Sequence, residues 1–151
     1  AVIPGGASAN MLTAAEIEDC PLAFDSLVAK GSMLGSAAII VMNEDTCIVR
    51  AAQNMSKFFS HESCGQCTPC REGTPWLYKV LTRIEEGQGR LEDIDLLERI
   101  CKQMANGMTI CVFSDAAIAP PLSSVQKFRD EYRYHVEHQR CLVGSKDLVT
   151  A

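Results

Sequence analysis

The stretch Ser63-Cys64-Gly65-Gln66-Cys67-Thr68-Pro69-Cys70-Arg71-Glu72-Gly73 places three of the chain's eight cysteines at intervals of three residues. Two cysteines separated by two residues can form a disulfide, but the third thiol would then lack a partner. The same spacing suits a soft metal centre, because three thiolates of one short loop can point inward together. A C-x2-C-x2-C run followed by one distant cysteine is typical of a [4Fe–4S] cluster, in which each iron takes one thiolate.

Zinc is the main alternative for the same thiols. Structural zinc usually has two separate ligand pairs, and the sequence shows no second pair beside this triplet. Disulfides stay open as a further alternative, although eight cysteines without a secretory signal favour a reducing compartment. An iron–sulfur cluster is therefore the first interpretation of the stretch.

Composition limits the remaining function classes. The chain has 151 residues and a net charge of −5 with both signs interspersed, which argues against nucleic acid as a partner. No apolar run approaches the length of a membrane span, so we expect no direct membrane insertion. The opening Ala1-Val2-Ile3-Pro4-Gly5-Gly6 has neither an initiator Met nor the features of a signal peptide. We therefore expect the chain to be a segment of a longer protein.

The pattern of residues 1–43 predicts an α+β segment. We expect a short helical turn near Leu12–Glu16, a helix within Pro21–Lys30 and a buried strand over Ala37–Met42. These pieces hold too few strands to close a sheet, so the segment is predicted to be part of a larger unit.

Residues 44–138 predict a bundle of four amphipathic helices joined by short loops. Asn43 or Asp45 is expected to cap the first helix, and residues 139–151 are expected to form a flexible tail. The predicted helices are, in order, one with Ile48, Ala52, Met55 and Phe59 on its apolar face, one from Gly73 to Gly87, one from Glu92 to Ala105, and one that starts near Ser123 and carries Val125, Phe128, Tyr132 and Val136.

Cys111 is the predicted fourth ligand. It lies between the third and fourth helices, 41 residues after Cys70. If the second and third helices form an antiparallel hairpin, this loop returns to the end where the triplet lies. Cys101 falls on an apolar helix face and is expected to be an ordinary buried thiol. Three further cysteines have no metal-ligand neighbours in the sequence and are predicted to be structural or surface thiols: Cys20, Cys47 and Cys141.

Several residues near the triplet have two possible roles. Arg71 either supplies positive charge to the thiolates or forms a surface ion pair with Glu62 or Glu72. His61 is expected to be a loop residue or an outer hydrogen-bond donor. We expect Trp76 to pack in the core. The two histidines of the last helix, His135 and His138, are expected to be solvated.

The segment His61–Gly73 resembles the cluster signature of the flavoprotein subunit of respiratory complex I, the NADH:quinone oxidoreductase family. Thr109-Ile110-Cys111 resembles the family's fourth ligand segment, and Phe128-Arg129-Asp130-Glu131 resembles the start of its final helix. Val2–Gly6 and Gly31–Gly35 resemble the preceding β-grasp-like (SLBB) domain. The resemblance runs from about Ala1 to His138 and implies the C-terminal part of that flavoprotein.

The resemblance also implies a cofactor and a role. A [4Fe–4S] cluster on Cys64, Cys67, Cys70 and Cys111 would accept electrons from FMN and pass them to iron–sulfur partner subunits, namely a 2Fe–2S small subunit and a large iron–sulfur subunit. The implied location is the cytoplasmic side of a bacterial inner membrane, or the matrix side in mitochondria. Residues 1–43 would be a partial SLBB-like segment and residues 44–138 the cluster-binding domain.

The family binds FMN and NAD in a glycine-rich N-terminal domain, and the sequence carries no such loop. The segment alone is therefore not expected to oxidise NADH. NAD-reducing hydrogenases and formate dehydrogenases share the cysteine core and are alternatives, as is a zinc-stabilised interaction module. One departure from the family pattern is Ser114, which stands where the family usually has glycine.

Overall fold

The computed structural model of the chain describes residues 1–143. The predicted tail lies within this range only at residues 139–143, and its remainder lies outside the described residues. The described elements are β1 (Val2–Ile3), α1 (Ala14–Ile17), α2 (Phe24–Ala29), β2 (Ile40–Val41), α3 (Ile48–Glu62), α4 (Thr68–Glu85), α5 (Leu91–Met104), α6 (Phe113–Lys127) and α7 (Arg129–His138).

The two strands pair antiparallel, with Val2 opposite Val41 and Ile3 opposite Ile40. The prediction of a buried strand over residues 37–42 is wrong, because only two of these residues form a strand and Val41 is 72% exposed. β1 is the partner of β2 in a two-stranded sheet, which leaves the side chains of β2 uncovered. The α+β class itself agrees with the structure, which is mostly helical with one small sheet.

The two short helices of this segment are confirmed. α1 begins at a capping box, in which the Thr13 hydroxyl accepts the N–H of Glu16 at 3.3 Å and the Glu16 carboxylate accepts the N–H of Thr13 at 2.8 Å. Lys127 of α6 reaches the same carboxylate at 2.9 Å. The capping box therefore also fastens the N-terminal segment to the helical bundle.

Gly5 and Gly35 allow two loops of the N-terminal segment to touch. A Cβ atom placed on Gly35 would lie 2.5 Å from the carbonyl oxygen of Gly5. Gly35 also has φ +50°, in the left-handed region that L residues avoid. The loop before β2 thus lies directly against the loop after β1.

Five helices, rather than the predicted four, form the bundle. The predicted last helix is two helices, because Phe128 leaves helical geometry (φ −122°) between α6 and α7. α6 begins ten residues before the predicted start and contains Pro120 and Pro121, which remove two backbone donors. Burial of the middle of α6, including Ile118 and Val125, stabilises the helix in spite of these two prolines.

The start of α4 also differs from the prediction. It begins at Thr68 rather than after Gly73, because Pro69 has the φ of a helix and lies in the first turn, where its missing N–H costs nothing. Gly73 is a contact point rather than a helix breaker. A Cβ atom there would overlap the side chain of Met104 on α5, so glycine lets the two helices approach closely.

The predicted caps of α3 are wrong. Cys47 is the N-cap residue, and its Sγ accepts the N–H of Arg50 at 3.3 Å. Asn43 instead accepts a hydrogen bond from the Thr46 hydroxyl at 2.8 Å. The predicted apolar face of α3 is confirmed, because Ile48, Ala52 and Phe59 are buried and Met55 packs against the core.

Across residues 1–143, every helix is too short or too polar to cross a bilayer.

We expect Asp93→Ala to lower the free energy of unfolding by about 2–3 kcal/mol. Asp93 is 2% exposed, and it accepts hydrogen bonds from the Arg83 guanidinium of α4 (2.9 Å from Nε) and from the backbone N–H of Arg90 (2.8 Å). The substitution removes the cap of α5 and leaves Arg83 without its partner. Because Arg83 is about one-third exposed, we place the cost below that of a fully buried pair.

Urea unfolding measures this cost, and Glu92→Ala is the matched control. Glu92 is on the same turn and forms an exposed ion pair with Arg90 at 3.1 Å, which is worth less than about 0.5 kcal/mol. Equal losses in the two variants would contradict the role given to Asp93.

Candidate metal centre

The cysteine triplet lies where α3 ends and α4 begins. Cys64 is in the connecting loop, Cys67 is the N-cap residue of α4, and Cys70 lies in the first turn of α4. Gly65 has φ +75° and permits the turn between the first two cysteines. The loop therefore presents three thiols at the N-terminal end of a long helix, where free backbone amides and the helix dipole favour negative charge.

The antiparallel arrangement of α4 and α5 returns the chain to this end, as predicted. Cys111 lies between α5 and α6, and the backbone N–H of the preceding Ile110 donates to Cys67 Sγ at 3.4 Å. All four predicted cysteines line one cavity of about 190 Å³, together with Glu62, Gln66, Thr109 and Phe113. Cys101 is fully buried in the core, and burial raises the pKa of its thiol to about 12.

The sulfurs of this cavity are spread more widely than the ligands of one tetrahedral ion. Within the described part of the chain, no three of the four Sγ atoms lie within 4.8 Å of one another. A tetrahedral zinc site with Zn–S bonds of about 2.3 Å would hold its sulfurs about 3.8 Å apart. The four thiols as placed here therefore do not form a closed tetrahedral set.

Hydroxyl groups surround the cysteines, and the sequence patterns do not reveal them. Ser63 Oγ lies 3.2 Å from Cys70 Sγ and also accepts the N–H of Gly65 at 3.3 Å. Thr109 Oγ1 donates to the carbonyl oxygen of Cys111 at 2.8 Å and lies 2.5 Å from Ser114 Oγ. Ser114, the departure from the family pattern, is thus fully buried and holds the Cys111 loop through Thr109.

The charged residues that flank the cysteine loop bind one another or the backbone. Arg71 Nη1 donates to the carbonyl oxygen of Gly65 at 2.9 Å, and Arg71 Nε donates to Glu72 at 3.1 Å, which confirms one of the two predicted ion pairs. Glu62 pairs instead with the exposed His61 at 3.0 Å. Arg71 therefore fastens the cysteine loop to the first turns of α4.

Aromatic residues near the site differ in burial. Trp76 is 49% exposed, so its predicted place in the core is wrong; it lies beside a shallow cavity between α4 and α5 that Met104 also lines. Its side chain is on the α5 side of α4, three residues after Gly73, where the two helices approach closely. Phe59 of α3 and Phe113 of α6 form an edge-to-face pair with ring centroids 5.7 Å apart. This pair packs the end of α3 against the start of α6, next to the cavity.

His135 corrects a prediction from the sequence. The prediction that it is solvated is wrong, because α7 packs this face against the ends of α3 and α4 and buries the side chain fully. Burial alone would lower the pKa of His135, but hydrogen bonds to Glu85 and to the carbonyl oxygen of Glu131 raise it to about 9. His138 is exposed, as predicted, and stacks on Tyr134.

The fold and the convergent thiols define a helical module that could bind a metal centre. Residues 50–135, more than half of the chain, match the family model described as the NADH-ubiquinone oxidoreductase-F iron–sulfur binding region. The chain belongs to this family, and the resemblance found in the sequence is confirmed.

Curated relatives carry the name of one particular component of NADH-quinone oxidoreductase, its F subunit. The chain is 48% identical over 141 residues to the second such F subunit of Rhizobium meliloti, covering 93% of the chain and 33% of that relative. It is 46% identical over 144 residues to the F subunit of Mycobacterium tuberculosis, and the match covers 95% of this chain and 32% of that relative. The chain thus spans about a third of the length of these relatives.

A solved structure resembles the fold as well. The NAD+-reducing [NiFe]-hydrogenase in its H2-reduced state superposes with a TM-score of 0.76 at 28% sequence identity, over 93% of this chain and 23% of that chain. The same enzyme in the air-oxidised state superposes with the same score over 99% of this chain and 24% of that chain.

Proposed function

We propose that Cys64, Cys67, Cys70 and Cys111 bind a [4Fe–4S] cluster and that the chain is an electron-transfer segment of an NADH-oxidising flavoprotein subunit. The observation that carries the proposal is the convergence of these four thiols, from two distant parts of the sequence, on one cavity. Membership of a family defined by its iron–sulfur binding region supports the same chemistry. A bound cluster would supply one-electron oxidation and reduction.

The surrounding residues have the properties that such a site needs. The Ile110 N–H points at Cys67 Sγ, and the Ser63 hydroxyl lies beside Cys70 Sγ. Hydrogen bonds to ligand sulfurs and solvent exposure are the features that set the reduction potential of an iron–sulfur centre. Cys64 and Cys111 are exposed, so one side of the site faces the surface, where an electron donor or acceptor could approach.

The wider setting of the chain is also part of the proposal. FMN and NAD would bind outside this segment in the full-length subunit, and electrons would leave toward a 2Fe–2S small subunit and a large iron–sulfur subunit. The complex would lie on the cytoplasmic side of a bacterial inner membrane, or on the matrix side in mitochondria. Residues 1–43 would be the partial SLBB-like segment that precedes the cluster domain at 44–138. The names of the curated relatives, which are F subunits of NADH-quinone oxidoreductase, support the complex I part of this setting.

A hydrogenase setting is the second candidate, and the similarity to the NAD+-reducing [NiFe]-hydrogenase favours it. The chemistry of the four cysteines would be the same there, and only the neighbouring subunits would differ. The higher identity to the quinone-oxidoreductase subunits, 48% against 28%, is the reason why we propose complex I before a hydrogenase.

The test is iron, sulfide and zinc analysis of the chain after reconstitution without oxygen, together with its visible spectrum. We expect a broad visible absorption band and about four iron atoms per chain. A colourless protein that binds about one zinc ion through the triplet, and no iron, would overturn the proposal in favour of a zinc-stabilised module.

A further inference from the structure

A second group of metal-ligating side chains lies at the opposite end of the bundle. Cys47 caps the start of α3, Glu85 is the last residue of α4, His135 lies in α7, and Cys141 follows α7. α4 has 18 residues and is therefore about 27 Å long, with the cysteine triplet at one end and Glu85 at the other. This second group is thus separate from the candidate iron–sulfur site.

The three distances among Cys47, Glu85 and His135 match those around one tetrahedral ion. Cys47 Sγ lies 3.4 Å from His135 Nε2 and 3.5 Å from Glu85 Oε2, and His135 Nε2 lies 3.3 Å from Glu85 Oε2. Zinc bonds of about 2.3 Å to sulfur and about 2.0–2.2 Å to nitrogen and oxygen, at tetrahedral angles, put such ligand atoms about 3.4–3.6 Å apart. The ligand atoms of Cys47, His135 and Cys141 also lie within 4.8 Å of one another.

The imidazole of His135 is already held in the orientation that a metal needs. Its Nδ1 lies 2.8 Å from the carbonyl oxygen of Glu131, one turn earlier on α7. Nδ1–H donates to that carbonyl, so Nε2 is the nitrogen that faces Cys47 and Glu85. A backbone carbonyl on the far nitrogen is the usual way in which proteins orient a ligating histidine.

Burial and charge favour a cation at this point. His135 is fully buried and Cys47 is 8% exposed, while the Glu85 side chain is 14% exposed. Two thiols and a carboxylate around a buried imidazole gain most from a doubly charged ion that displaces the protons of the thiols. An ion pair between His135 and Glu85 accounts for those two side chains, but it does not account for the two cysteines that lie beside the same imidazole.

We propose that Cys47, Glu85, His135 and Cys141 form a structural zinc site. Four protein ligands leave no open position for a substrate, so the ion would link α3, α4, α7 and the segment after α7 rather than catalyse a reaction. Cys47 and Cys141, which show no relation to each other in the sequence, would be the two sulfur ligands. The ends of three helices would then be joined at a point far from the iron–sulfur site.

The test is a zinc titration of the whole chain in which Cys64, Cys67 and Cys70 are all serine, so that the first site cannot take the metal. The protein is freed of metal under reducing conditions and titrated with Zn²⁺ against a chromogenic chelator. We expect one zinc ion per chain. Adding Cys141→Ser should weaken zinc binding by about 100-fold or more, since it removes a ligand outside the helices, whereas Cys20→Ser should leave the affinity unchanged.

Two results would overturn the proposal. One is the absence of zinc binding to the reduced chain while its circular dichroism matches that of the unmodified protein. The other is equal zinc affinity in the Cys141→Ser and Cys20→Ser chains. In the first case, a mass loss of two hydrogens on exposure to air that Cys141→Ser abolishes and Cys20→Ser does not would point to a Cys47–Cys141 disulfide instead. Elemental analysis of the unmodified, iron-reconstituted chain gives an independent readout, because one zinc should accompany the iron.

Discussion

Cys111→Ser is expected to reduce the iron bound by the anaerobically reconstituted chain from about four atoms to fewer than about two. Cys111 is the only member of the proposed ligand set that comes from outside the segment joining α3 to α4, and it lines the same cavity as the triplet. A serine hydroxyl is a much poorer ligand for iron than a thiolate, so one iron of the cluster would lose its protein ligand. Iron and sulfide analysis, with the visible spectrum, measures the loss.

Cys101→Ala is the matched control for this experiment. Cys101 is the competing candidate in the sequence, lies only ten residues earlier and is fully buried on the core face of α5. Its replacement removes a thiol without touching the cavity, so the iron content should be unchanged. Full iron binding by the Cys111→Ser chain, or loss of iron in the Cys101→Ala chain, would show that the ligand set is wrong.

Gly35→Ala is expected to destabilise the N-terminal segment by about 3 kcal/mol. Left-handed geometry at φ +50° costs an alanine about 1–2 kcal/mol, and the new Cβ would also lie 2.5 Å from the backbone oxygen of Gly5. Backbone cannot move aside as a flexible side chain can. Hydrogen exchange of the Met42 amide, which donates to the carbonyl oxygen of Ala1 at 2.9 Å, should be about 100-fold faster.

Gly31→Ala separates the cost of the left-handed backbone conformation from the cost of the contact between the two loops. Gly31 also has a positive φ, +74°, but a Cβ there would meet nothing within 4 Å. We expect a loss of only about 1–2 kcal/mol, which is the cost of the backbone conformation alone. If Gly31→Ala accelerates the exchange of Met42 as much as Gly35→Ala does, close contact between the two loops is not what requires glycine.

The candidate site could be predicted from the sequence because it depends on local spacing and on one hairpin. The triplet lies within a single short segment, and the antiparallel pairing of α4 and α5 is enough to select Cys111 over Cys101. The ligand assignment itself stays a prediction until metal is measured. The hydroxyls of Ser63 and Thr109 could not be found in this way, since their roles depend on side-chain positions that no repeat in the sequence reports.

The errors in the predicted fold have a common physical origin. Gly73 and Pro120 favour helix ends in isolation, but both lie inside helices because tertiary packing outweighs local propensity. His135 is polar, which favours solvent, yet partners from α3, α4 and its own helix satisfy the ring. Periodicity shows which residues face inward on one helix, but it does not show which neighbouring element will cover a polar side chain.

The uneven distribution of the four cysteines has a consequence for the order in which the protein is assembled. Three of them lie within seven residues, between helices that form early by local contacts, while Cys111 follows 41 residues later. We therefore expect a newly made chain to have three thiols in place before α5 folds back and α6 docks. Cys111 can join the other three thiols only after this docking. The rate at which iron becomes stably bound would therefore follow the docking of α5 and α6.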